Sequence, residues 1–498
     1  MRSTRIWALA SLAAVVMLTA LLFLLRSGKP ETLSTAPITL YCAAGIKPPV
    51  EEAAREYEKL HRVPIRISYG GSGTLLSNLR VTQTGDLFLA AEESYIEMAR
   101  TEGLVREAIP LATMIPVIAV AKGNPKGIRS VEDLLKDGTR CGIANPDAAA
   151  IGKVTRDLLA EAGLWEGFQA RVKVFKPTVN DLANDVKIGA IDAAIVWDAV
   201  VGQYPELEAV HSPVFEKAEE KVVIGVLSSA KNPSAALRFA RYLGARDRGL
   251  LAFEKWGYSP VEGDIWEEHP ELILFSGGVN RIAIEDTLAE FERREGARVT
   301  RVYNGCGILV AQMRAGEKPD AYFACDNSFV NQVQEFFEPP VGISETDMVI
   351  LTPKGNPKGI HALADLSAPD LRLGVANAEQ SALGALTQNL LEREGLLDSV
   401  MANVKTQTPT ADLLVNQMRA GALDAVIVYM ANTSQVRDSL EIIPITLPGA
   451  RAAQPYVIGK NSTHKQLAGR LLEALRSAES KARFESSGFF FVGGEAEQ

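Results

Sequence analysis

A chain of 498 residues with 47% hydrophobic and 23% charged side chains can form three or four compact units of about 150 residues each, and its composition excludes a disordered or fibrous protein. The formal net charge of -9 argues against the basic face that nucleic-acid binding needs, though not against a small anion held by local dipoles. Cys42, Cys141, Cys306 and Cys325 form no C-x-x-C pair and no zinc spacing with a histidine, so the thiols read as buried small residues and no metal site is expected.

Basic Met1 to Arg5 is followed by a run without charge from Ile6 to Leu25. At about 1.5 Å per residue that run spans roughly 30 Å, the hydrocarbon thickness of a bilayer. A secretory core is shorter, about 7–15 residues, and ends in a small-x-small cleavage site. Here Arg26 follows, and the best such site lies around Ser34 to Ala36. Residues 1–35 are therefore read as a membrane anchor, or as a signal segment if cleaved, and everything after them as exported.

From Ala36 onward strands alternate with helices. Ile38 to Tyr41 reads as a strand, and Pro48 to His61 as a helix with Val50, Ala54, Tyr57 and Leu60 on one face. Val63 to Tyr69 is a second strand, Thr74 to Thr82 a helix, and Asp86 to Ala90 a third strand. Met114 to Lys122 reads as a long strand crossing from one lobe to another, with Arg140 to Ala144 and Ala193 to Trp197 as two more. Such alternation implies mostly parallel sheets covered by helices.

The chain then repeats itself. Lys-Gly-Asn-Pro-Lys-Gly-Ile stands at 122–128 and again at 354–360. Tyr69-Gly-Gly-Ser-Gly73 answers Tyr303-Asn-Gly-Cys-Gly307, and Asp86 to Glu92 answers Asp320 to Asp326. Ile188 to Trp197 answers Ala420 to Tyr429. A period of about 225 residues is too long for a solenoid and suits a whole two-lobed module. The units run from Ala36 to Gly263 and from Glu267 to Val492, with a short acidic join at Val261 to Pro270 and a frayed tail after Gly493.

Guests of open α/β sheets sit beyond the carboxyl ends of strands. Those ends are small and uncharged here: Ala43-Ala44-Gly45, Gly70-Gly71-Ser72-Gly73-Thr74, and Ala148 to Gly152. Small residues let backbone N–H groups approach a guest, while Ser72 or Thr74 offers a hydroxyl and a cap. Converging helix starts without cations describe a site for a dehydrated oxyanion. The same turn also serves tight strand-to-helix geometry alone, and it fits neither a P-loop nor a dinucleotide fingerprint.

These blocks resemble the molybdate-type periplasmic binding proteins of ABC importers. So do Lys122-Gly-Asn-Pro125, Asn145-Pro146, Gly163-Leu-Trp165, Asp192 to Trp197 and the closing Phe253-x-x-x-Gly257. The resemblance covers both units and implies the type II periplasmic-binding fold, an α/β class: tandem modules of two lobes and a hinge, preceded here by an N-terminal transmembrane helix. It implies an oxyanion ligand, molybdate or tungstate, and an ABC permease with its ATPase as partners. It implies no cofactor, no catalysis and no nucleic acid.

Carried over residue by residue, the family's serine after the first strand falls on Gly45 beside Ala44, and in unit two on Val279 or Asn280. The second-strand serine is Ser72, flanked by Gly71 and Gly73, and becomes Cys306 beside Gly307. The helix-start position falls on Ile151 beside Gly152, and on Leu383 beside Gly384. The following backbone donor falls on Val179 and Ala411, and the family's tyrosine is Tyr429 but Trp197 in unit one. Asp86 and Asp320 are expected to be structural, since a carboxylate beside an oxyanion repels it. Cys306 offers either a weak donor or a disulfide partner for Cys325. A two-lobed transferase is the rival class, but no histidine sits beside a candidate nucleophile in the repeated motifs. A membrane-anchored anion sensor uncoupled from transport is the other alternative.

Overall fold

The computed structural model describes residues 36–172, 174–434 and 436–493. The expected anchor at 6–25 and the tail after Gly493 lie outside the described residues. Among those described, no helix is long and apolar enough to cross a membrane.

In the first half, one lobe carries a six-stranded sheet in the order Ser259–Pro260, Val105–Met114, Glu220–Leu227, Leu87–Ala90, Ile38–Ala43, Ile65–Gly70. Burial follows sequence pattern. Leu87–Ala90 is apolar throughout, is buried on both faces and sits inside the sheet, whereas alternating Ile65–Gly70 forms an edge with one wetter face. The other lobe holds five strands in the order Val174–Lys176, Cys141–Ala144, Ala193–Trp197, Pro116–Ala121, Leu207–Val210.

The expected crossing strand Met114 to Lys122 is two strands, not one. Val105–Met114 belongs to the first sheet and Pro116–Ala121 to the second, so the chain changes lobes at Ile115. The second half is built differently. There one strand, Val341–Pro353, runs through both lobes, and the sheet counts ten strands. The repeat supplies the reason. Pro116 has no N–H to donate, whereas its counterpart Met348 donates to the Ala450 carbonyl at 2.7 Å. Pairing continues where the donor exists.

The acidic join is a built joint rather than a loose linker. The Asp264 carboxylate accepts the amides of Gln466 and Leu467 at 2.9 Å each, at the start of helix Lys465–Leu475. Beside it, Glu295 of the second half lies between Arg470 at 2.7 Å and Arg241 of the first half at 3.2 Å. All three side chains are less than a tenth exposed. The halves thus share one buried ionic contact.

Candidate functional site

In the first half, Ile38–Ala43 and Ile65–Gly70 run parallel with Ala43 opposite Gly70, so their carboxyl ends open side by side. The turn Ala44–Ile46 and the helix Ser72–Thr82 leave from these ends. The helix starts two residues before the expected Thr74, because Gly71 takes the extended N-cap conformation. Across the cleft the other lobe presents the starts of Ala150–Glu161 and Val179–Lys187.

Between them lies a cavity of about 20 Å³, room for a water or an ion of a few atoms. Ala44, Gly45, Gly71, Ser72, Ile151, Val179 and Trp197 line it, as do Ala43, Ala91, Ala149, Ala150 and Thr178. None is charged. The helices that start after Gly71 and Ala149 have no side-chain cap, so their first amides face the cavity without an acceptor. Ser72 Oγ accepts the Ala91 amide at 3.2 Å, which leaves the hydroxyl proton for a guest.

The glycines have a more specific role than turn geometry. A Cβ added at Gly71 would lie 2.2 Å from the Ala148 carbonyl and 2.7 Å from that of Pro177, both across the cleft; one at Gly73 would lie 2.4 Å from the Asp147 carbonyl. Thr74 N–H donates to the Ala148 carbonyl at 3.1 Å. The lobes are therefore closed, backbone against backbone. Gly152 is a packing residue, where a Cβ would meet the Ala144 carbonyl at 2.3 Å. At Gly45 a Cβ would come within 2.9 Å of Val179 and 3.3 Å of Val200, so Val179, Val200 and Trp197 fill the space a serine would take.

The second half repeats the plan with other chemistry. Its cavity, again about 20 Å³, is lined by Leu383, Ala411 and Tyr429 and, of the two alternatives after the first strand, by Val279; Cys325, Ser381, Thr410 and Asp412 line it too. Gly307 N–H donates across the cleft to the Gln380 carbonyl at 3.0 Å, the counterpart of the Thr74 contact. Asn280 is turned away, its amide donating to the Phe323 and Ala324 carbonyls at 3.0 and 3.2 Å. Cys306 lies behind the lining and accepts the Cys325 amide at 3.1 Å. Gly307 and Gly384 pack against carbonyls, with an added Cβ 1.9 Å from that of Glu379 and 2.3 Å from that of Asn377. All four cysteines are free thiols. Burial pushes the Asp412 carboxyl up, against a hydrogen bond from Asn432 at 3.0 Å.

Asp86 and Asp320 are structural, each accepting one strand amide at 2.8 Å, from Thr39 and Ile273. Thr178 and Thr410, lining residues that the motif reading missed, hold matching places in the repeat just before a helix; that correspondence was the available signal. No repeat pointed to Asp412, whose counterpart is Asn180.

A family model described as bacterial extracellular solute-binding protein matches residues 38–259 and again residues 272–490. A Haemophilus influenzae protein assigned as a binding protein is 30% identical over 232 residues, covering 46% of this chain and 94% of that one. The molybdate-binding protein ModA of Mycobacterium bovis is 25% identical over 245 residues, covering 47% and 92%. Among solved structures, the periplasmic molybdate-binding protein of Azotobacter vinelandii superposes with a TM-score of 0.39 at 17% identity, covering 44% of this chain and 98% of that one.

Proposed function

Since this chain belongs to the bacterial extracellular solute-binding proteins, with each half matching the family model once, we propose that it captures a small oxyanion outside the cytoplasm and delivers it to an ABC permease and its ATPase. Molybdate or tungstate is the proposed ligand, and the first cleft, within a module spanning residues 36–263, is the proposed site. Residues 6–25 would tether it to the membrane, and residues 267–492 form the second module.

One observation carries this reading: a small cavity without any charged residue, closed between two lobes, onto which uncapped helix starts converge. Amides that have no helical acceptor, together with the positive ends of helix dipoles, stabilise an anion stripped of water. Neutral donors also discriminate. A cation gains nothing from them, and a large organic anion does not fit the space. Ala44, Gly45, Gly71, Ile151 and Val179 would contribute backbone donors, and Ser72 its hydroxyl. Capture would proceed by lobe closure, because the Thr74–Ala148 contact and the guest both favour the closed state. In this reading the protein is a carrier, not an enzyme.

Calorimetry of the detergent-solubilised chain with molybdate, tungstate, sulfate and phosphate tests the reading. Saturable binding of one or more of them is expected. Silence with all four would remove the oxyanion.

A further inference from the structure

The second cleft carries a pair of groups that the first does not. Where the first half has Ser72 and Ala91, the second has Cys306 and Cys325, both buried. The Cys325 amide donates to the Cys306 sulfur at 3.1 Å. The backbone makes room for them. Gly277 stands where the first half has Ala43, and a Cβ there would lie 2.0 Å from the Cys325 sulfur and 3.1 Å from that of Cys306. Ala43 with Ala91 has thus become Gly277 with Cys325.

A second observation points to a guest. Tyr429 lines the second cavity together with Cys325, is only 2% exposed, and its buried hydroxyl has no hydrogen-bond partner. A buried orphan of this kind calls for an explanation, and an absent ligand is one.

We infer that the second cleft holds a soft two-coordinate d10 cation, of the copper(I) or silver(I) class, between the sulfurs of Cys306 and Cys325. Two thiols take up one M⁺ and release two protons; two metal–sulfur bonds form, two S–H bonds break, and no electron is transferred. Thiolate sulfur selects such ions over harder ones. The bis-thiolate complex carries one negative charge, and the cleft is arranged for that. Helix Cys306–Arg314 begins at Cys306 itself, and Ala382–Arg393 and Ala411–Arg419 start at the cavity, all three without side-chain caps.

This inference does not depend on the oxyanion reading of the first cleft. The test titrates the full, reduced chain with silver(I) under anaerobic conditions, following stoichiometry by mass and the thiolate–metal absorbance band. One ion per chain is expected. The double variant Cys306→Ser/Cys325→Ala, which copies residues the first half already folds with, should lose that ion, whereas Cys42→Ala/Cys141→Ala should keep it. Tyr429→Phe should weaken uptake by roughly 10–100-fold, the usual effect of losing a supporting partner. No uptake by the parent chain, or uptake that survives the Cys306/Cys325 variant, would overturn the inference. Molybdate calorimetry on that variant should match the parent, so a failure at either cleft registers separately.

Discussion

The two clefts share a backbone and differ in what faces the guest. Both close through an amide near a helix start, Thr74 or Gly307, donating to a carbonyl of the opposite lobe. In the first, apolar Val179 and Trp197 occupy the space near Gly45 and leave a neutral chamber with one useful hydroxyl. In the second, a thiol, an orphaned phenol and a carboxyl line the same position. The backbone dipoles set the sign of charge a cleft favours, and a handful of side chains set the hardness of the ligand. The two halves share the former and differ in the latter.

That comparison holds only while both clefts hang from one frame, so the largest effect comes from breaking the frame. Burial pushes the Glu295 carboxyl up, but Arg470 and Arg241 outweigh it and hold it below the usual carboxylate value. Glu295→Ala strands two buried guanidinium groups and should cost about 3–5 kcal/mol of stability, measured by denaturant unfolding. Because the folded value is depressed, the ion pair stabilises the protein above the unfolded carboxyl's value near pH 4.5. That contribution should fade as pH falls further, and the variant should lack the fading.

Next come the closing contacts. Gly71→Ala places a methyl against the Ala148 and Pro177 carbonyls and should hold the first cleft ajar. Overpacking of this sort costs about 1–3 kcal/mol, to be read as weaker molybdate binding in calorimetry. Gly305→Ala, whose Cβ would sit 2.2 Å from the Gln380 carbonyl, should leave molybdate binding intact and weaken silver uptake. Equal effects of both variants on both ligands would erase the distinction between the clefts.

Ser72→Ala tests the single retained hydroxyl. A loss of about 1–2 kcal/mol in anion affinity is expected, and an unchanged dissociation constant would reduce Ser72 to an acceptor for the Ala91 amide.

The smallest effect is a pH dependence confined to the first half. Burial, and then the charge of Glu92, push the Glu220 carboxyl up to about 7, on the strand that returns from the second lobe. A raised folded value means stability is fully present below pH 4.5 and falls as pH rises toward 7. Glu220→Gln should flatten the denaturant midpoint between roughly pH 5 and 8. The matching position in the second half is Ala452, which has nothing to titrate. A parent chain whose midpoint varies no more than the variant's would show Glu220 to be silent.

Much of this was legible along the chain. The duplicated heptapeptide, the alternating strand and helix patterns and the small residues at strand ends indicated two α/β modules with cleft sites. Ser72, Gly71, Ile151 and Val179 do meet at one cavity. Less legible was the direction a residue faces. Asn280 and Cys306 are one position off the lining, since a 3-10 turn and a helix start rotate neighbours by roughly 100–120° each. The crossing strand misled because Met114 to Ala121 is apolar throughout, and only the missing amide of Pro116 reveals where pairing stops.

Amino-acid order alone determined the repeat, the lobed α/β architecture and the apolar, uncharged character of the strand ends, because these depend on periodicity and composition over short spans. Tertiary structure alone decided that Gly71 faces an opposing carbonyl, that Gly277 yields its space to Cys325, and that Glu295 joins arginines 54 and 175 residues away. Such contacts are fixed by how sheets and helices pack in three dimensions, and separation along the chain carries no record of that distance.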